Sequence, residues 1–183
     1  MIFLSAQDIG SNDVLPKKTK YIKQKDECSC GPVALLNLHK WLGKSLTYKD
    51  LSRIKQNMGW PFDMNPNEEG TPSICMTLYI LKHFRKFFVK HSQYKINVRL
   101  NRKITTLLNH LDQGRAVIFT HPAIAHPKDK ILNWHYSLFI KEQGRYMGIN
   151  YYKNVSYYPI TKEEIKLLFR RGGKAIEYWV FSK

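Results

Sequence analysis

The sequence predicts an α+β domain in which an N-terminal helical part packs on a C-terminal antiparallel sheet. Three observations predict it. In the first half apolar residues recur at helical spacing, most densely through Val33, Ala34, Leu35, Leu36, Leu38, Trp41 and Leu42. From Phe87 onward the period shortens to the alternation of a half-buried strand. Near the C-terminus two apolar runs, 134–140 and 145–149, flank Gln143-Gly144, which reads as a hairpin turn. With 183 residues, 43% hydrophobic and 13% aromatic, the chain suffices for one core and is short for two. Residues 1–183 are therefore expected to form a single domain, with 1–20 an extended lead-in.

Each element follows from local signals. A polar loop ends at Cys30-Gly31, and a helix opens on Pro32, whose fixed φ suits a first turn that needs no N–H; Gly43 ends it. Thr47 starts a second helix with Leu46, Leu51, Ile54 and Met58 at helical spacing and Asp50 in its first turn. Residues 59–70 have turn composition, with Trp60 and Phe62 as loop anchors or groove walls. Thr71-Pro72 opens a third helix through Phe84, with Ile74, Leu78 and Leu81, and also Met76, Tyr79 and Ile80, on its apolar side and Cys75 as a small buried hydrophobe.

Phe87, Phe88 and Val89, then Tyr94, Ile96, Val98 and Leu100, alternate as a strand. Ile104, Leu107, Leu108 and Leu111 make a short helix before Gly114, and Arg115 to Thr120 a buried strand. A loop punctuated by Pro122 and Pro127 spans 121–133, and a strand starts at His135. Its hairpin partner, Arg145 to Ile149, ends at Asn150. A Thr161-capped helix, the Gly172-Gly173 stop and a last strand from Ile176 through Phe181 close the chain.

Thirty Lys and Arg against fourteen Asp and Glu leave a net charge of +16, which predicts attraction to acidic partners such as nucleic acid, an anionic membrane or an acidic protein. Three cysteines, an odd number, argue against a disulfide framework and for a reducing compartment, and no paired CxxC or Cys/His grouping suggests zinc. No cofactor is expected. The N-terminal Met-Ile-Phe-Leu-Ser-Ala lacks the basic and apolar regions of a signal peptide, and no apolar run reaches the ~20 residues of a membrane span. The expectation is a soluble, cytoplasmic protein.

The stretch richest in chemistry is Gln24 to Leu38. Helix-terminal N–H groups favour thiolate at Cys30 and should lower its pKa from the free value of about 8.5. Gln24, six residues upstream, is placed to aim its amide N–H at an oxygen on the atom Cys30 attacks, with the Cys30 backbone N–H as second donor. Gly31 has no Cβ to obstruct substrate.

Gln24, five intervening residues, then Cys30-Gly31-Pro32 and an apolar helix resemble the nucleophile segment of papain-like cysteine peptidases, most closely the peptidase C39-like family. The resemblance covers the chain from about Lys20 onward. It implies a papain-like fold with a central Cys-bearing helix, a glutamine in the oxyanion hole, and a histidine and an Asp or Asn on adjacent later strands. His135 opens one strand and Asn150 ends the next, so antiparallel pairing makes them neighbours. The implied roles are Cys30 as nucleophile, His135 as acid and base, Asn150 as orienter of the imidazole and Gln24 as oxyanion donor, cleaving a peptide or amide bond through an acyl-enzyme. In C39-like sequences an Asp followed by Pro usually fills the third position; here it is Asn150-Tyr151.

Alternatives stay open at this stage. Cys28 competes with Cys30 as nucleophile, Asn154 with Asn150, and His121 or His126 is placed to touch substrate. His39, His83, His91 and His110 read as surface or packing residues. The same fold without hydrolysis is a peptide-binding module. A nucleic-acid-associated protein would use Lys82, Arg85, Lys86, Lys90, Arg99, Arg102 and Lys103 interleaved with Phe84, Phe87, Phe88 and Tyr94.

Overall fold

The structure is a computed structural model that describes residues 20–26, 28–58, 71–92, 100–122, 134–152, 155–172 and 176–183. The lead-in through residue 19, Trp60 and Phe62 in their loop, the alternating 94–98 stretch, His126, Asn154 and Gly173 lie outside the described residues.

The elements are α1 (Cys30–Trp41), a 3-10 turn (Tyr48–Asp50) running into α2 (Leu51–Asn57), α3 (Ser73–His83), β1 (Phe88–Ser92), α4 (Leu100–Asp112), β2 (Ala116–Pro122), β3 (Trp134–Glu142), β4 (Arg145–Tyr152), β5 (Val155–Ile160), α5 (Lys162–Gly172) and β6 (Tyr178–Phe181). The six strands form one antiparallel sheet in the order β1-β6-β2-β3-β4-β5.

Strand alternation divides the core between the two faces of this sheet. Ala116, Ile118, Tyr136, Leu138, Ile140, Met147, Ile149, Trp179 and Phe181 meet α1, α2 and α3 on one face. Val117, Phe119, Phe139, Tyr146, Tyr178 and Val180 meet α4 and α5 on the other. The molecule is thus α+β with three layers, where the expectation had helices against one face only. A sheet covered on both sides carries apolar residues at successive positions, which is why β2 is buried throughout.

Helix α1 starts at Cys30, two residues before Pro32, with Val33 N–H donating to the Ser29 carbonyl at 2.9 Å. Pro32 still falls among the first-turn residues whose N–H groups have no helical acceptor. Every α1 residue except Lys40 is buried. The helix closes where Lys44 N–H reaches back to the His39 carbonyl and Gly43 takes φ +93, a left-handed conformation that glycine adopts without steric cost. Thr47 and Asp50 form a reciprocal capping box at the 3-10 turn.

Four expectations change. In α3 the core takes Cys75, Met76, Tyr79 and Ile80, while Ile74, Leu78 and Leu81 stay 55, 49 and 45% exposed. Both sets fit a helical period, and the set carrying Tyr79 was buried, against His39 and Phe84. Leu100 begins α4 instead of ending a strand; Ile104, Leu107, Leu108 and Leu111 form the buried stripe of that helix. Residues 121 and 122 extend β2 rather than opening a loop, with His121 opposite His135 and Pro122 opposite Trp134. Strand β5, with Pro159 inside it, was not among the expected elements. As the sheet edge, β5 needs no donor from that proline.

Candidate active site

The approach to Cys30 is built by two polar residues, Asn37 in the core and Asp26 at the surface. Asn37, fully buried in the apolar α1, accepts from Ile22 N–H at 2.8 Å and donates from Nδ2 to the Ile22 carbonyl at 2.8 Å. One side chain therefore fastens the incoming segment along the helix and places Gln24 two residues on. Asp26 then accepts from the N–H groups of Cys28 (3.0 Å) and Ser29 (2.7 Å) and from the Ser29 hydroxyl (2.6 Å). Burial alone would raise the Asp26 pKa, but these bonds and the Lys55 charge bring it below the usual carboxylate range. Asp26 stays ionised and organises the turn that delivers Cys30.

Cys30 is 5% exposed. The backbone N–H groups of Tyr136, Gly31 and Cys30 itself act on its sulfur and favour thiolate, yet burial outweighs them and the resting thiol is pushed up from its ordinary value. The sequence argument for a lowered pKa counted the helix start and not the desolvation. Close packing tightens this mouth: a Cβ on Gly31 would lie 2.6–2.8 Å from three atoms of the Thr71 side chain, and Thr71 offers its carbonyl to the Tyr136 hydroxyl at 3.1 Å. Glycine at 31 is required by Thr71 before any substrate arrives.

Gln24, His135 and Asn150 come together. Gln24 N–H donates to Asn150 Oδ1 at 2.8 Å, and Asn150 Nδ2 donates to Gln24 Oε1 at 3.3 Å. His135 Nε2 lies 2.6 Å from the Asn150 carbonyl. A carbonyl only accepts, so Nε2 carries the proton and Nδ1 is left as the basic nitrogen. Asn150 Nδ2 also lies 3.5 Å from His135 Nε2, but two donors cannot bond each other, so the Asn150 main chain holds the imidazole while its side chain holds Gln24. Asn150 can do both because it is 2% exposed, stands at an irregularity in β4 and has φ +57, which asparagine tolerates better than most residues.

Cys30 does not complete this group by a side-chain contact. Among the described residues no hydrogen bond joins its sulfur to His135 or to Gln24, whose Nε2 donates to the Asp26 carbonyl instead. Alternation explains the separation from His135: Tyr136 faces α1 and Cys30, whereas His135 stands beside His121, which packs on Phe119 and Phe139 of the opposite layer. Burial lowers the His135 pKa, opposed by its bond to the Asn150 carbonyl. Cys28 is half-buried, and its backbone N–H is taken by Asp26. All three cysteines are free, and Cys75 is buried as expected.

Ser137 escaped the sequence reading, and so did the partner it gives His121. His121 is fully buried and bonds Ser137 Oγ at 2.9 Å. Ser137 is also fully buried, 3.2 Å from the Asn150 carbonyl. The available signal was polarity out of place: Ser137 interrupts Tyr136 to Ile140, and Asn37 interrupts Val33 to Leu42. Of the aromatics offered for stacking on bases, Phe84 is 1% exposed and packs on Phe181, so it cannot receive one. Among the described residues no His, Cys, Asp and Glu gather in a group able to hold a metal ion, and no helix is long and apolar enough to cross a membrane.

No family model matches the chain, and no curated protein does. Among solved structures, the crystal structure of the Pseudomonas avirulence protein AvrPphB is similar at 10% identity and a TM-score of 0.36, over 72% of this chain. This chain spans 66% of that one. A likeness so distant leaves the site to be argued from its own geometry.

Proposed function

We propose that the chain is a thiol-dependent hydrolase of papain-like type that cleaves a peptide or amide bond through Cys30, His135, Asn150 and Gln24. The observation that carries this reading is the bond from His135 Nε2 to the Asn150 carbonyl. It leaves Nδ1 basic one residue from Tyr136, whose N–H acts on the Cys30 sulfur. In the active arrangement, which this reading requires the protein to populate before substrate binds, His135 Nδ1 comes within hydrogen-bond reach of Cys30 and takes its proton. The thiolate attacks the carbonyl carbon, and the Cys30 N–H with the Gln24 amide, turned from Asp26, receives the oxyanion. His135 returns the proton to the leaving amine, and water then releases the acyl group. The net charge of +16 favours an acidic peptide or polyanion-bound client.

A second reading, a peptide-binding module without hydrolysis, is favoured by the raised thiol pKa and by the missing Cys30–His135 bond. Limiting iodoacetamide followed by intact-mass analysis across pH separates the two. The hydrolase reading expects Cys30 to label faster than Cys28 and Cys75 below pH 7, and His135→Ala to abolish the excess. Labelling of Cys30 no faster than an ordinary thiol at every pH would reject it.

A further inference from the structure

The described part of β3 holds a hydroxyl with one proton and two claimants. Ser137 Oγ lies 2.9 Å from His121 Nε2 and 3.2 Å from the Asn150 carbonyl, the same oxygen that accepts from His135. Which claimant wins follows from the other side of the His121 ring. His121 Nδ1 is 3.0 Å from the Pro122 carbonyl, which can only accept, so Nδ1 carries a hydrogen. Burial holds the ring neutral, with its pKa lowered to about 3, so Nε2 presents a lone pair. The Ser137 hydroxyl must then donate to His121.

We propose that His121 is a positioning residue for His135: by taking the Ser137 proton it leaves the Asn150 carbonyl to His135 Nε2–H, and so holds the imidazole with Nδ1 as its base. The inference deepens the hydrolase reading and rests on it only for the use made of Nδ1. Without His121 the Ser137 hydroxyl turns to the Asn150 carbonyl and competes with His135 for it. The acceptor then serves two donors, the imidazolium loses part of its stabilisation, and the His135 pKa falls. His121 on β2 and His135 on β3 are the titratable groups that face each other, with ring centroids 5.5 Å apart. Phe119 and Phe139 beside His121 are apolar, β4 contributes the neutral Asn150, and α1 brings Cys30 to the N–H of Tyr136.

The test is a long-range proton–nitrogen NMR correlation of the histidine rings in the full chain, titrated with pH. In the wild type His121 is expected protonated on Nδ1 and His135 on Nε2; a proton on His121 Nε2 would overturn the proposal without any variant. His121→Phe should move the His135 midpoint down by about half a pH unit or more. Adding Ser137→Ala should restore it, because the competing hydroxyl is gone. His121→Gln, whose amide oxygen can accept from Ser137, should keep the wild-type midpoint. A shift in His121→Phe that survives Ser137→Ala refutes the route through Ser137. The pH profile of Cys30 alkylation on the same samples keeps the two readings apart. If it fails to follow the His135 midpoint while the ring protons behave as expected, the hydrolase reading fails and the positioning role stands.

Discussion

Asn150 joins the incoming segment to the histidine, and replacing it by Ala and by Gly separates its two contributions. Both variants lose the side-chain bonds to Gln24 at 2.8 and 3.3 Å. Each bond contributes a net ~1 kcal/mol, and a buried donor left without its acceptor makes the loss larger. The backbone contribution differs between them. At φ +57 an alanine pays about 1–2 kcal/mol, because its Cβ crowds the following carbonyl and no polar side chain compensates. Glycine escapes that cost and instead loses about 0.5–1 kcal/mol to the greater freedom of the unfolded chain. The expected losses are about 3–4 kcal/mol for Asn150→Ala and roughly 0.5–1 kcal/mol less for Asn150→Gly. Urea unfolding with linear extrapolation measures both. An alanine variant as stable as the glycine variant would show that the left-handed conformation is not what this site demands. Two variants within about 0.5 kcal/mol of wild type would refute the tether itself.

Three further outcomes are expected. Gly31→Ala should destabilise by about 1–3 kcal/mol through overlap with Thr71, and Thr71→Gly should rescue it, since all three close atoms belong to the Thr71 side chain; thermal melts of the two single variants and the double variant check this. Asn37→Leu should cost about 2–4 kcal/mol by stranding the N–H and carbonyl of Ile22, and hydrogen exchange at Ile22 and Gln24 should accelerate before that of the α1 interior. His39, with its pKa lowered to about 4 by burial and by Lys44, His83 and Arg53, and His121, lowered to about 3 by burial and by His135, are both neutral in the fold. Each binds its proton more readily unfolded, near pH 6.5, so its contribution is complete above that pH and is lost as pH falls toward 4 and 3. Urea midpoints should therefore drop between pH 6.5 and 4.5, by up to ~1.4 kcal/mol per pH unit for each histidine. His39→Phe should flatten that slope; an unchanged slope would mean that His39 is not held neutral. Asp112, lowered to about 2 by Lys141 and Tyr146, acts only below this window.

Much of the architecture was legible because it depends on short-range regularities. Proline and glycine bracket α1, Thr47 with Asp50 and Thr161 with Glu164 cap their helices, and Gln143-Gly144 turns the hairpin with both residues at positive φ. Errors arose where two local solutions were equally good. The α3 stripe could bury Ile74, Leu78 and Leu81 or Cys75, Met76, Tyr79 and Ile80, and periodicity cannot rank faces that both satisfy it. Strand β5 carries a proline that its edge position permits, and that position is set by the sheet and not by local pattern.

By itself, then, the sequence determined where Cys30 stands, at the start of an apolar helix, and that His135 and Asn150 fall on successive strands. Those are facts of order and spacing. Only the tertiary structure decided the energetics and the partners. Desolvation outweighs the N–H groups at the Cys30 sulfur and raises its pKa, because burial depends on α1 being enclosed by its neighbours. Asn150 serves His135 through its carbonyl and Gln24 through its amide, because a break in β4 pairing turns its main chain inward. His121 stands opposite His135 across β2 and β3 and reaches Ser137 diagonally, a proximity set by strand pairing that no local pattern contains.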